Sequence, residues 1–125
     1  MSNSEQVVRD FCAAWERCDI EELLGYFTED AVYHNIPTDP AKGHEAIRGV
    51  MNLFVPMSKT IEFRIDHLAV AGDVVFTERV DTFTLDKGQI SLPVAGVFEI
   101  REGKIAAWRD YFDMQQFMTQ FQAVS

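Results

Sequence analysis

Two aspartates, Asp81 and Asp110, stand inside runs of apolar and aromatic residues that otherwise resemble β-strands. A carboxylate that points into an apolar site is costly unless it is paired or hydrogen-bonded. Arg79 precedes Asp81 by two positions, so an extended chain places both side chains on one face. Two carboxylates and one guanidinium in a dry site favour proton-transfer chemistry, because the charge of one carboxylate raises the pKa of the other.

Composition limits the classes of protein to which the chain can belong. With 125 residues, 47% of them hydrophobic, we expect a single globular domain over residues 1–125. A net charge of −9 argues against nucleic acid as a partner, because a phosphate backbone requires a cationic face. We expect a cytoplasmic protein without a membrane partner, since no apolar run could span a bilayer and the first residues do not resemble a signal peptide. Cys12 and Cys18 fit no zinc spacing, so we expect reduced thiols.

Helical patterns dominate the first part of the chain. A possible capping box at Ser2 and Glu5 precedes apolar residues at helical spacing. Asp19 begins a second short helix, and a third is predicted over about residues 45–54, after a loop rich in proline and glycine. A short strand is predicted between the second and third helices, over residues 31–35.

After Pro56 the pattern changes to long strands. Tight turns separate four segments, which predicts an antiparallel meander over residues 59–71, 73–86, 89–101 and 104–113. A final short helix is predicted over about residues 114–121. Three to four helices packed on a strongly curved, mixed but mostly antiparallel sheet give an α+β fold with a cone-shaped apolar pocket.

The turns predict which residues face each other across the strands. A two-residue Lys-Gly turn would place Asp81 opposite Val94 and Arg79 opposite Gly96. A three-residue loop before the last strand would place Val94 opposite Asp110. The two aspartates would then lie on one face with a single strand between them, and the glycine would leave room for the arginine to reach both.

Four segments of the chain resemble the limonene-1,2-epoxide hydrolase family, within the wider nuclear transport factor 2-like or SnoaL-like superfamily. They are Tyr33-His34-Asn35, Glu78-Arg79-Val80-Asp81, Gly96-Val97-Phe98 and Trp108-Arg109-Asp110-Tyr111-Phe112-Asp113. The similarity extends along nearly the whole chain. It implies one-step hydrolysis of an epoxide, with no covalent enzyme intermediate, no metal and no other cofactor.

The resemblance implies a catalytic role for five residues. Asp110 would be the general base that deprotonates a water, which Tyr33 and Asn35 would help to hold. Asp81 would be the general acid that protonates the epoxide oxygen, and Arg79 would bridge the two carboxylates. Ring opening gains from protonation at oxygen while water attacks carbon, so one carboxyl must be protonated and the other ionised at the same pH.

The pocket wall predicted from the sequence is apolar and offers no cluster of arginine or lysine for a charged substrate. Its members are Leu24, Phe54, Leu68, Phe83, Leu92, Val94, Trp108, Phe112 and Phe117. We therefore expect the partners to be water and a small lipophilic, uncharged epoxide.

Two other functions are compatible with this fold. An isomerase or polyketide-cyclase-type enzyme would use one aspartate as a base toward a ketone, and it would need an oxyanion-stabilising donor opposite that base. An arginine between two acids is poorly arranged for that task. A non-catalytic module for binding small apolar ligands or for dimerisation would tolerate loss of either aspartate, if the charged residues form only a structural ion-pair network.

The outer face of the predicted sheet combines apolar residues with a few charged ones. Val97, Glu99, Ala107, Arg109 and Tyr111 lie on this face. Such a mixture is more typical of an interface than of a solvated surface, and proteins of the family commonly dimerise through it. We expect a homodimer in which Arg109 forms a salt bridge at or near the interface.

Overall fold

Four α-helices and six strands account for most of residues 3–125, which are the residues that the computed structural model describes. In chain order they are α1 (Asn3–Ala14), α2 (Ile20–Leu24), β1 (Phe27–Asn35), β2 (Ala41–Lys42), α3 (His44–Phe54), β3 (Thr60–Ala71), β4 (Val74–Leu85), β5 (Gly88–Arg101), β6 (Lys104–Tyr111) and α4 (Met114–Val124). The predicted capping box depends on Ser2, which lies outside the described residues. None of the helices in this part of the chain has both the length and the apolar content needed to cross a membrane.

The strands form one mixed sheet in the order β2-β1-β6-β5-β4-β3. Strands β3 to β6 make the predicted antiparallel meander, while β1 pairs parallel to β6 and antiparallel to β2. The sheet curls around the helices without closing into a barrel. These features confirm the predicted α+β fold. Strand β2 is an addition, because its two residues are too few to give a sequence pattern.

The register between β4 and β5 differs from the predicted one by two residues. Asp81 pairs with Leu92 and Arg79 pairs with Val94. The reason is that residues 86–87 form the turn, one position earlier than the Lys-Gly pair. A shift by two residues keeps each side chain on its predicted face.

The register between β5 and β6 is also shifted by two residues. Glu102 and Gly103 form a two-residue turn with φ angles of 52° and 77°, in place of the predicted three-residue loop. A bulge after Glu99 adds to the shift, and Asp110 consequently pairs with Gly96. The two aspartates therefore share a face but lie diagonally across β5 instead of side by side.

Aromatic rings fill the inside of the curled sheet. Phe11 of α1 is fully buried and makes edge-to-face contacts with the rings of Trp15, Tyr26, Phe27, Phe98 and Trp108. Burying one such ring contributes about 1.5–3 kcal/mol. Two of these rings, Phe98 and Trp108, also lie beside Arg79, a member of the site described below.

Helix α4 packs on β5, and polar side chains begin the helix and join it to that strand. Asp113 begins the helix by accepting a hydrogen bond of 3.0 Å from the amide of Gln116. Where β6 ends at Tyr111, the side chain of Gln120 takes up the pairing with β5. Its Oε1 accepts from the Ser91 amide at 2.7 Å, and its Nε2 donates to the Ser91 carbonyl at 2.9 Å. These contacts hold α4 over the cavity.

Candidate active site

A buried arginine links two buried aspartates on the inner face of the sheet. Arg79, Asp81 and Asp110 are only 1%, 4% and 3% exposed. Arg79 Nε and Nη2 donate to the two oxygens of Asp81 at 3.0 and 2.8 Å. Its Nη1 and Nη2 donate to the two oxygens of Asp110 at 3.1 and 2.7 Å. Both contacts are bidentate, the strongest form of the pairing between a guanidinium and a carboxylate.

The remaining N–H of the guanidinium is also used. Arg79 Nη1 donates to Thr77 Oγ1 at 3.1 Å. With this contact all five donors of the arginine have acceptors, as a fully buried guanidinium requires. The sequence reasoning assigned Thr77 no role. Its position two residues before Arg79 on a strand was the available signal.

Gly96 makes the close approach of these groups possible. It lies on β5 between Thr77 of β4 and Asp110 of β6. A Cβ atom at this position would collide with Arg79 Nη1 and lie 2.7 Å from Asp110 Oδ1. The glycine thus leaves the space expected from the sequence, although it faces Thr77 and not Arg79.

Asp110 accepts a further hydrogen bond from Trp108. The indole Nε1 lies 2.6 Å from Asp110 Oδ1. The indole ring is fully buried and stacks on Tyr33 and Phe98, with ring centroids 4.1 and 5.4 Å away. Trp108 therefore does not line the cavity as predicted. It lies behind Asp110 and directs its N–H at the carboxylate of that residue.

Burial controls the protonation of the site. If both aspartates were ionised, they would leave one excess negative charge beside Arg79 in a dry environment, whereas a single proton makes the group neutral. Burial raises the pKa of Asp81 to about 6, despite the opposing effect of Arg79, and the charge of Asp110 adds to the rise. Burial lowers the pKa of Arg79, but Asp110 and Asp81 outweigh it and hold that pKa well above its ordinary value.

Parallel pairing of β1 with β6 brings two more polar side chains to Asp110. Tyr33 pairs with Trp108, and Asn35 pairs with Asp110. Burial raises the pKa of Tyr33, so that its hydroxyl keeps its proton. Both residues line the cavity together with the two aspartates. All five residues of the predicted catalytic set, Arg79 included, thus lie together.

Both aspartates line an apolar cavity of about 260 Å³. Six of the predicted wall residues line it: Phe54, Phe83, Leu92, Val94, Phe112 and Phe117. Leu24, Leu68 and Trp108 do not. Leu24 packs into the core at the end of α2, and Leu68 follows a bulge in β3 that shifts its pairing.

Residues that the sequence reasoning did not assign complete the wall. They are Trp15, Thr38, Val50, Leu53, Phe63, Met114 and Met118. The helical spacing of Met114, Phe117 and Met118 was an available signal, because residues three and four apart share a face of a helix. The orientation of α4 that turns this face inward depends on its contact with β5.

We predict that Gly96→Ala destabilises the protein by about 1–3 kcal/mol, because the added methyl group displaces the Arg79 guanidinium or the Asp110 carboxylate. Urea denaturation measures the change. Gly49→Ala is the matched control, since a Cβ there meets no atom within 4 Å and alanine favours the helix. Equal stability of the two variants would contradict the close packing at Gly96.

Comparison with known proteins places the chain in a family. A family model described as the limonene-1,2-epoxide hydrolase catalytic domain matches residues 2–123. Epoxide hydrolase EphG of Mycobacterium tuberculosis is 31% identical over 112 residues, which are 86% of this chain and 71% of that protein. The solved structure of an M. tuberculosis LEH-like epoxide hydrolase has a TM-score of 0.78 at 26% identity, over 98% of this chain and 89% of that one.

A more distant likeness concerns the fold alone. A protein from Shewanella denitrificans described as a SnoaL-like polyketide cyclase has a TM-score of 0.84 at 16% identity, over 96% of this chain and 97% of that one. It agrees with the expected SnoaL-like architecture. The family model and the M. tuberculosis relative together support epoxide hydrolysis as the general reaction. The chain belongs to the limonene-1,2-epoxide hydrolase family.

Proposed function

We propose that this protein hydrolyses a lipophilic, uncharged epoxide to a vicinal diol in one step, without a covalent intermediate. The observation that carries the proposal is the pair of Asp81 and Asp110, which Arg79 holds in the wall of an apolar cavity. Both carboxyl groups reach the cavity, and a single proton between them makes the buried group neutral. This arrangement supplies an acid and a base at the same pH.

Asp110 acts as the general base in this proposal. The hydroxyl of Tyr33 and the amide of Asn35 each offer a donor and an acceptor, so with Asp110 they can hold one water molecule. The proton of that water passes to Asp110 while the water oxygen forms a bond to an epoxide carbon. Because the oxygen of the new hydroxyl comes from water, neither carboxylate forms an ester.

Asp81 acts as the general acid. A pKa raised to about 6 leaves it near the value at which a group exchanges protons efficiently close to neutral pH. It gives its proton to the epoxide oxygen as the carbon–oxygen bond breaks. After turnover Asp110 carries the proton and Asp81 the charge. Arg79 contacts both carboxylates and stabilises the negative charge on either one, and a proton transfer then resets the pair.

The cavity wall supports a lipophilic substrate. Phenylalanine, leucine, valine and methionine side chains form most of it, and no lysine or arginine is among the described residues that line it. A charged substrate would lose its hydration there without gaining a partner. The cavity, with a volume of about 260 Å³, has room for one small molecule beside the aspartates.

The hydrogen bonds of Arg79 also weigh against the isomerase or cyclase alternative. All five of its N–H groups are donated to Thr77 and the two aspartates. None is left over to stabilise an enolate oxygen, which that chemistry requires. The alternative of a non-catalytic module is decided by the following experiment.

We predict that Asp81→Asn and Asp110→Asn each lower kcat for diol formation by about 10²–10⁴-fold, the usual contribution of a positioned acid or base. Diol formed from styrene oxide or limonene oxide measures the effect. Asp86→Asn is the matched control, because this aspartate is exposed in the turn after β4. A folded Asp81 or Asp110 variant that keeps more than about a tenth of the wild-type kcat would contradict the acid–base roles.

We propose that the protein is a homodimer formed through the outer face of the sheet. Phe76 and Tyr111 are 45% and 47% exposed on this face, which is unusual for large apolar side chains. On the same face, Arg109 of β6 forms a salt bridge with Glu99 of β5, with 2.6 Å between Nη1 and Oε2. A symmetric contact would cover the apolar residues and leave this ion pair at or near the interface.

Light scattering at micromolar concentration should give twice the monomer mass of 14.3 kDa. Phe76→Asp should shift the protein toward the monomer, because it places a charge in the buried contact. Arg109→Ala should keep its activity, since Arg109 lies on the face away from the cavity. A monomer mass for the wild-type protein excludes the dimer, and an inactive but dimeric Arg109→Ala variant would move this arginine into the chemistry.

We propose a cytoplasmic location. Cys12 and Cys18 are both free thiols in the structure. Burial raises the pKa of Cys12 to about 12, so this thiol is unreactive at physiological pH. Free thiols are typical of proteins in a reducing compartment.

A further inference from the structure

Arg79 forms nearly equivalent hydrogen bonds with the two aspartates. Arg79 donates two hydrogen bonds to Asp81, at 3.0 and 2.8 Å, and two to Asp110, at 3.1 and 2.7 Å. Both carboxyl groups are almost completely buried. Neither the guanidinium nor the degree of burial therefore determines which aspartate carries the proton. An acid–base mechanism nevertheless requires that the proton lie on one particular aspartate, the acid, and the negative charge on the other, the base.

One hydrogen bond distinguishes the two carboxyl groups. The indole Nε1–H of Trp108 is donated to Asp110 Oδ1 at 2.6 Å. Asp110 thus accepts three hydrogen bonds, whereas the hydrogen bonds of Asp81 within the described residues are the two from Arg79. An N–H donor stabilises a carboxylate far more than a neutral carboxyl group.

We infer that Trp108 is a positioning residue that makes Asp110 the base and Asp81 the acid, because its indole N–H keeps the negative charge of the pair on Asp110. The inference rests on the proposed function and adds to it the reason for the division of roles. The same contact aims Oδ1 of Asp110, since the buried indole ring is held by its stacking on Tyr33 and Phe98.

The other groups around Asp110 do not provide this distinction. From β4 it faces Arg79 and Asp81, which are members of the pair itself. From β1 it faces Tyr33, whose raised pKa keeps the hydroxyl neutral, and the neutral amide of Asn35. From α1 the Cys12 thiol also lies in the field of both carboxyl groups, and its raised pKa keeps it neutral as well. Among the described residues, Trp108 is the one whose side chain donates a hydrogen bond to the carboxylate of Asp110 and not also to that of Asp81.

The chain offers a matched control in its other tryptophan. Trp15 is also buried, lines the cavity and stacks on Phe63 with ring centroids 4.6 Å apart. Its Nε1, however, has no hydrogen-bond partner within the described residues. Trp15→Phe therefore removes an indole ring without removing a hydrogen bond, while Trp108→Phe removes both.

Carboxyl ¹³C NMR of protein labelled at aspartate Cγ tests the inference without any substrate. Spectra of Asp81→Asn and Asp110→Asn assign the two signals. At a pH where the pair holds one proton, the wild-type protein and Trp15→Phe should carry it on Asp81. In Trp108→Phe the ratio of protonated Asp110 to protonated Asp81 should rise roughly tenfold to hundredfold, the usual value of a hydrogen bond to a charged group.

A second variant separates the hydrogen bond from the packing. Benzothienylalanine introduced at position 108 keeps the shape of the indole but replaces its N–H by sulfur, so it serves even if Trp108→Phe does not fold. It should redistribute the proton as Trp108→Phe does. A proton that stays on Asp81 in the folded position-108 variants would overturn the inference while leaving epoxide hydrolysis intact. Conversely, a lack of activity toward epoxides leaves this NMR test fully interpretable.

Discussion

A buried guanidinium must find an acceptor for every N–H, and this requirement organises the centre of the protein. Arg79 satisfies it with Thr77 and Asp81 on its own strand and with Asp110 on β6, two strands away. The intervening strand can be crossed because it carries Gly96 at that point. The charged network therefore depends on the pairing of β4, β5 and β6, just as the sheet does. The fold and the site cannot be varied independently here.

The dryness that makes this network costly also gives it a function. Aromatic rings surround the guanidinium, with Phe63, Phe98 and Trp108 centroids 5.1, 5.9 and 5.8 Å from Arg79 Cζ. These contacts favour the cation and exclude water. Burial in these surroundings raises the pKa of Asp81 to about 6, and ionising both carboxylates would leave one unbalanced negative charge beside Arg79. In the proposed reaction, water and an epoxide entering the cavity would meet Asp110 as the base and Asp81 as the acid, both held in place by Arg79.

The face of each strand residue could be predicted from the sequence, because alternation along a strand has a period of two. The registers could not, since one turn contains Glu102 in a left-handed conformation for which glutamate has no preference. The wall supplied by α4 depends on the contact between Gln120 and Ser91, which are distant in the chain. The spacing of Trp108 from Asp110 predicts a shared face, but the orientation of the indole N–H depends on rings that pack from other strands. Local sequence pattern thus predicted which residues form the site, whereas the hydrogen bonds among them depend on long-range packing.

The central claim is that the paired aspartates activate water and do not themselves attack the epoxide. Single-turnover hydrolysis in ¹⁸O-water, with enzyme in excess over substrate, tests it most directly. We predict that the diol carries one ¹⁸O atom and that peptides containing Asp81 or Asp110 carry none. Unlabelled diol, together with ¹⁸O in either aspartate, would show a covalent ester intermediate and contradict the account.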